Sequence, residues 1–153
     1  MRQLPKLTLS VRLGASADIP IRVESNVLQF APISAMARSA PLRVTAPAHG
    51  IPPGWRAAVV GAGGMTEMNV AWDQLRPAVL RPVSVIDVDT VDFDGVYATG
   101  FGAHTSGGAL AFYAPKSLAA YTGARMDIKR RVGGAVEISL NTAAGTLEID
   151  TYN

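Results

Sequence analysis

Two histidines are the residues of this sequence best suited to metal binding or acid-base chemistry. His49 and His104 are the only histidines, and each lies in a glycine-rich stretch. Two histidines and one carboxylate can hold a transition metal. The i, i+2 or i, i+4 spacing that would place the two imidazoles side by side is absent. We therefore predict turn-stabilising or exposed histidines, and no metal site.

Ser106 is the serine that comes closest to a candidate nucleophile, because His104 stands two positions before it. A serine nucleophile needs a histidine base that an acid orients, and in one fold family it occupies a Gly-x-Ser-x-Gly turn. The run Thr105-Ser106-Gly107-Gly108 lacks that turn. The sequence predicts turn chemistry here, no catalytic residue and no enzyme.

Four aspartates, at positions 87, 89, 92 and 94, surround a predicted hairpin. A glycosidase would need two of them facing one cleft, and an EF-hand would need a different spacing. Strand alternation places Asp92 and Asp94 on one face, with Phe93 pointing inward. We expect these two carboxylates to lie on a solvated outer face.

A dinucleotide-binding loop is the remaining candidate site, at Gly61-Ala62-Gly63-Gly64-Met65-Thr66. The third glycine of the Gly-x-Gly-x-x-Gly pattern would have to stand where Thr66 is, and no helical pattern follows. A glycine-rich turn is predicted instead, and no cofactor.

Short strands are the elements that must position these loops. Apolar residues alternate with polar ones on both sides of a turn in residues 7–23, which predicts a hairpin. A second hairpin is predicted where residues 126–132 lead through Gly133-Gly134 into 136–140. Other predicted strands are 42–45, 56–60, 82–87, 90–93 and 147–149. Short helical turns are predicted at 66–75 and 117–122.

Composition narrows the function classes. The chain has 153 residues, no cysteine, and 14 Lys and Arg against 12 Asp and Glu. Disulfides and thiolate chemistry are excluded, and so thin a positive excess does not favour a nucleic-acid partner. The one cationic cluster, Lys129-Arg130-Arg131, is either a solvated hairpin tip or a partner contact. No signal peptide and no membrane-spanning stretch are predicted.

Three pieces of the chain carry a family resemblance: residues 48–55 (Ala-His-Gly-Ile-Pro-Pro-Gly-Trp), residues 64–69 (Gly-Met-Thr-Glu-Met-Asn), and the stretch from Tyr97 to Gly108. Their order and spacing resemble the first catalytic cysteine half-domain (FCCH) of ubiquitin-activating enzymes, a small β-barrel also found in phage virion proteins. Without a cysteine, only the barrel is implied. The signature residues are His49, Gly50, Gly54, Trp55, Gly64, Met65, Asn69, Gly107 and Gly108.

The chain ends carry a second resemblance. Residues 121–130, 134–136 and 140–149 resemble the N-terminal β-domain of phage upper-baseplate proteins, and residues 7–23 resemble its opening strands. The two resemblances together imply an all-β protein. A small barrel, residues 30–112, is inserted into a β-sandwich-like domain formed by residues 1–29 and 113–153.

The resemblances imply a structural component of a tailed-phage virion, assembled in the host cytoplasm. The expected role is an assembly or adaptor module of the tail or baseplate, acting through interfaces with other virion proteins and in a symmetric homo-oligomer. A capsid decoration protein is one alternative. The other is a receptor- or carbohydrate-binding module that uses the aromatic residues Trp55, Tyr97, Phe101 and Tyr113.

Overall fold

The fold is all-β. A computed structural model describes residues 22–117, 125–128, 135, 138–141 and 143. The strands are β1 Glu24–Pro32, β2 Ala35–Ala37, β3 Leu42–Thr45, β4 Arg56–Val60, β5 Arg81–Val85, β6 Thr90–Phe93, β7 Ala109–Pro115, β8 Arg125–Ile128 and β9 Ile138–Asn141. Three short 3-10 turns, Thr66–Met68, Trp72–Gln74 and Pro77–Val79, lie between β4 and β5. The predicted segments at 7–21, 118–122 and 147–149 lie outside the described residues.

The first seven strands form one antiparallel sheet that curls into a half-barrel, in the order β1-β7-β4-β5-β6-β3-β2. The outermost strands of that order, β1 and β2, are consecutive in the chain. At the link between them, the Ile33 N–H donates to the Gly108 carbonyl beside β7, while the Ser34 N–H donates to the Thr45 carbonyl of β3. Successive N–H groups of a strand point to opposite edges. Because the sheet curls, its two edge strands, β1 and β2, are joined directly through residues 33–34.

The strands predicted at 42–45, 56–60 and 90–93 are confirmed, and the one predicted at 82–87 is found as β5. The predicted helical stretch at 66–75 is confirmed as two separate 3-10 turns. β8 and β9 pair antiparallel, with Met126 opposite Leu140, as predicted for the second hairpin. Strands β1, β2 and β7 were not predicted.

The inner face of the sheet holds the main core. Its largest fully buried side chains include Phe93, Phe112, Leu42 and Met65. Alternation brings Val59 of β4 opposite Leu110 of β7, and both belong to this core. Burying residues of this size stabilises the fold by roughly 1.5–3 kcal/mol each, relative to leaving them exposed.

A smaller apolar layer lies on the opposite face of the same strands. Ala58 of β4 stands opposite Ala111 of β7, and both are buried although neither belongs to the main core. Phe30 of β1 is the next partner along this row. The Trp72 ring lies 5.3 Å from the Phe30 ring, centroid to centroid. Trp72, from the segment between β4 and β5, therefore lies against this face at Phe30.

Trp55 contacts both ends of the half-barrel segment of the chain, near Arg22 before β1 and at Tyr113 in β7. Its side chain is 6% exposed, and its indole N–H donates to the Tyr113 carbonyl of β7 at 2.6 Å. The Arg22 guanidinium lies 5.6 Å above the indole ring and donates to the Gly54 carbonyl. The Glu24 carboxylate accepts hydrogen bonds from Arg56 and pairs with Arg22. The indole thus ties the start of β4 to β7, and the Glu24 carboxylate ties β4 to β1.

The predicted domain boundaries, 29/30 and 112/113, fall within the paired strands β1 and β7. Their pairing continues outward to Glu24 opposite Pro115, and the Lys116 N–H donates to the Val23 carbonyl. Chain segments that leave a module as neighbouring antiparallel strands suit insertion into another domain. The discontinuous outer domain itself stays a prediction.

Replacing Trp55 with Ala is expected to destabilise the protein by about 3–5 kcal/mol, because it leaves a core cavity and an unpaired Tyr113 carbonyl. Chemical denaturation measures the loss. The matched control is Trp72→Ala, which removes a side chain that is 60% exposed and should cost about 1 kcal/mol. Similar losses in the two variants would contradict the structural role given to Trp55.

Candidate functional site

His49 is buried, and both of its ring nitrogens make hydrogen bonds to backbone, one in its own loop and one in the β5–β6 hairpin. It is 5% exposed, its Nδ1 accepts the Ile51 N–H at 2.9 Å, and its Nε2 lies 3.1 Å from the Asp87 carbonyl oxygen. These contacts assign the neutral tautomer with the proton on Nε2, which donates to Asp87. The turn-stabilising role predicted for His49 is confirmed, and the exposed alternative is wrong for this residue.

The loop that carries His49 is stitched to the β5–β6 hairpin tip. The Ala48 N–H donates to the Asp89 carboxylate, and the His49 N–H donates to the Val88 carbonyl. The Asp89 N–H donates in turn to the Asp87 carboxylate, and this bond is the main cause of a lowered Asp87 pKa. The carboxylates of Asp87 and Asp89 thus both accept hydrogen bonds from backbone N–H groups.

A second cluster joins the Gly61–Asn69 region to the loop before β7. The Gly63 N–H donates to the Ser106 carbonyl at 2.8 Å, and the Thr105 N–H donates to the Gly63 carbonyl at 2.9 Å. A Cβ on Gly64 would overlap the Ala103 carbonyl, and Gly64 has a φ of +85° that L side chains rarely adopt. The glycine-rich run is therefore a close backbone crossing, as the predicted turn requires.

His104 and Ser106 both belong to this crossing. The His104 Nε2 lies 2.9 Å from the Gly107 carbonyl oxygen, so its N–H donates there. Ser106 contributes its backbone to the pairing with Gly63. His49 contacts the hairpin tip instead, so the two histidines serve separate loop clusters.

Asn69 and Glu67 close the same crossing through their side chains. The Asn69 amide accepts the Ala62 N–H at 2.9 Å and donates to the Ala62 carbonyl at 2.8 Å, which copies one rung of a β-ladder. The Glu67 carboxylate accepts the Gly102 N–H at 2.8 Å, and this bond lowers the Glu67 pKa below its ordinary value. Met65, which precedes both in the chain, is fully buried.

All nine signature residues have structural roles in loops, turns or the core. Gly50, Gly54, Gly107 and Gly108 have positive φ, and a Cβ on Gly108 would lie 2.9 Å from the Ala62 Cα. With His49, Trp55, Gly64, Met65 and Asn69 they hold loops, turns and core together. The possible partner contacts Lys129, Arg130 and Arg131 lie outside the described residues.

The expectation for Asp92 was wrong. It is only 6% exposed, because Arg43 on the neighbouring strand β3 covers it with two parallel hydrogen bonds of 2.8 Å. The bond to Asp92 raises the Arg43 pKa. Asp94 is exposed, as expected, and accepts a hydrogen bond from the Ser84 hydroxyl. The cation that buries Asp92 lies 49 positions away, beyond the reach of strand periodicity.

The four aromatic residues of the predicted stacking surface differ in their exposure. Trp55 is buried, which confirms core packing for it, and Phe101 and Tyr113 are half-buried. Tyr97 is 72% exposed. The sequence reasoning missed a further surface, the aromatic pair of Phe30, 45% exposed, and Trp72, 60% exposed. The signal available was a tryptophan followed directly by two polar residues, Asp73 and Gln74, with no apolar alternation around it.

No protein-family model matches the chain, and no curated protein matches it significantly. Within the described residues, no group of three or more His, Cys, Asp and Glu side chains is placed to hold a metal ion. No helix in that part of the chain is long and apolar enough to cross a membrane. The FCCH and baseplate resemblances therefore stay predictions from the motifs.

Gly64→Ala is expected to destabilise the protein by at least about 2 kcal/mol, since the new Cβ meets the Ala103 carbonyl at an unfavourable φ. The control, Gly100→Ala, places its Cβ in open space and should change stability by less than about 0.5 kcal/mol. Thermal and urea unfolding measure both. Equal effects would show that the close crossing is not needed.

Glu67→Gln is expected to lower the melting temperature at neutral pH and to have little effect in acid. A carboxyl whose folded-state pKa is depressed adds stability above its unfolded value, and this contribution is lost as pH falls through the folded value. The relevant window lies below the ordinary Glu value of 4.5. Melting curves of both proteins from about pH 6 to about pH 3 should therefore converge. A constant difference at every pH would contradict the role of the Gly102 hydrogen bond.

Proposed function

We propose that this chain is a structural protein of a tailed-phage virion, an assembly or adaptor module of the tail or baseplate. It would act through interfaces with other virion proteins and with symmetric copies of itself. It would reside in the virion after assembly in the host cytoplasm. The proposal starts from the two motif resemblances, both to modules of phage particles.

The observation that supports an interface role best is the exposed aromatic pair, Phe30 and Trp72. Its rings lie 5.3 Å apart and are inclined by 46°, on the outer face of a sheet whose loops are tied by backbone hydrogen bonds. Aromatic side chains, tryptophan above all, dominate the energetics of protein interfaces. A rigid base beneath them limits the entropy lost on binding.

The polar surroundings of Trp72 favour a second candidate, a receptor- or carbohydrate-binding module. Asp73 and Gln74 follow Trp72 in the same 3-10 turn, and all three side chains are exposed. A flat aromatic face beside a carboxylate and an amide can stack on a sugar ring and hydrogen-bond its hydroxyls. A capsid decoration protein would use the aromatic pair as the adaptor does, at a different place in the particle.

The test is mass spectrometry of gradient-purified particles from the phage or prophage that encodes the chain, with heads and tails separated. Enrichment with tails supports the adaptor, and enrichment with heads supports decoration. Absence from both fractions contradicts a virion role. Binding of the purified protein to a glycan array would then favour the carbohydrate module.

Trp72→Ala is expected to reduce incorporation into particles at least about tenfold, because an interface tryptophan commonly contributes more than 1.4 kcal/mol. The matched control is Tyr97→Ala, which removes another exposed aromatic ring on a different loop. Both variants should keep most of their thermal stability. Unchanged incorporation of Trp72→Ala, or an equal loss in the control, would remove the aromatic pair from the interface.

A further inference from the structure

His49 makes one hydrogen bond that only its neutral ring can make. Its Nδ1 accepts the Ile51 N–H, while its Nε2–H donates to the Asp87 carbonyl. Protonation would place a second N–H against the Ile51 N–H, since both ring nitrogens of the imidazolium are donors. The contact to Asp87 survives protonation because that nitrogen remains a donor.

The charged groups that face the His49 ring are carboxylates, and they lie on the hairpin side of the ring. Those that face the loop from the hairpin packed against it are the carboxylates of Asp87 and Asp89. They attract an imidazolium toward the hairpin tip. The Ile51 N–H donates to Nδ1 on the other side of the ring, and it loses this acceptor when that nitrogen is protonated.

Residues with positive φ stand on both sides of His49 in the chain. Ala48 has a φ of +50°, an unfavourable region for a residue with a Cβ, and the Asp89 carboxylate holds its N–H there. Gly50 and Gly54, both with positive φ, flank the stiff segment Ile51-Pro52-Pro53. Ile51 and Pro52 are buried beside a tip whose Ile86 and Val88 are 49% and 69% exposed.

We propose that His49 is a pH-sensitive latch on this end of the half-barrel. At neutral pH the ring ties Ile51 to the hairpin tip. On acidification the ring stays on the Asp87 side and releases the Ile51 N–H. The segment 51–53 then opens between its two glycines and adds apolar surface next to Ile86 and Val88. The proposal does not depend on the virion role.

Nuclear magnetic resonance on the full chain labelled with ¹⁵N tests the latch directly. Ring ¹⁵N shifts should show His49 protonated on Nε2 alone at neutral pH and on both nitrogens after acidification. Over the same range, Ile51 amide exchange, corrected for its intrinsic pH dependence, should rise about tenfold or more. The Val88–His49 backbone pairing should stay protected.

His104 is the internal control. Its Nε2–H donates to the Gly107 carbonyl, a bond that an imidazolium keeps, so backbone protection around it should not change on acidification. His49→Gln is the matched variant. Its side chain can accept the Ile51 N–H and donate to Asp87 at any pH, so the acid step at Ile51 should vanish.

Three results would overturn the latch. One is a proton on Nδ1 at neutral pH, and another is Ile51 protection that does not change with pH in the wild type. The third is an acid step that persists in His49→Gln, which would assign it to Asp87 or Asp89. If His49→Gln fails to fold, the ring titration and the Ile51 exchange of the wild type still decide.

Discussion

The half-barrel depends on a backbone crossing that tolerates no side chain. The chain between β4 and β5 must pass the loop before β7 so closely that a Cβ on Gly64 or Gly102 would overlap the backbone opposite. Two backbone hydrogen bonds and the Asn69 amide fix that approach. The crossing therefore fixes the Gly61–Asn69 region against the loop before β7.

Polar groups brought into the interior have partners. His49, the Trp55 indole and Asp92 are buried, and each is hydrogen-bonded to backbone or to an arginine. In the part of the chain that the structure describes, no buried side-chain nitrogen or oxygen lacks a partner. An unsatisfied buried polar group costs about 1–3 kcal/mol, so these residues restrict the chain to arrangements in which their partners are present. They specify the loops more than they add net stability.

The loops and the outer face of the sheet have different roles. The residues that carry the FCCH resemblance are occupied with holding the loops, turns and core. Surface able to bind a partner lies elsewhere, at Phe30 and Trp72 and at the hairpin tip around Val88. The segment from Thr66 to Leu80 takes part in both. Glu67 and Asn69 hydrogen-bond at the backbone crossing, and Trp72 packs against Phe30 on the outer face.

The sequence by itself determined the all-β class, strands β3, β4, β5 and β6, and the glycine-rich turns, because alternation and turn residues act over a few positions. It could not predict β1, where the register of pairing shifts between Glu24 and Leu28, or β7, where Leu110, Ala111 and Phe112 are buried in succession with no polar alternation. Only the tertiary structure decided that β1 pairs with β7, that Arg43 buries Asp92, and that Trp72 meets Phe30. Those contacts join residues 42 to more than 80 positions apart, and local periodicity holds no record of partners at such distances.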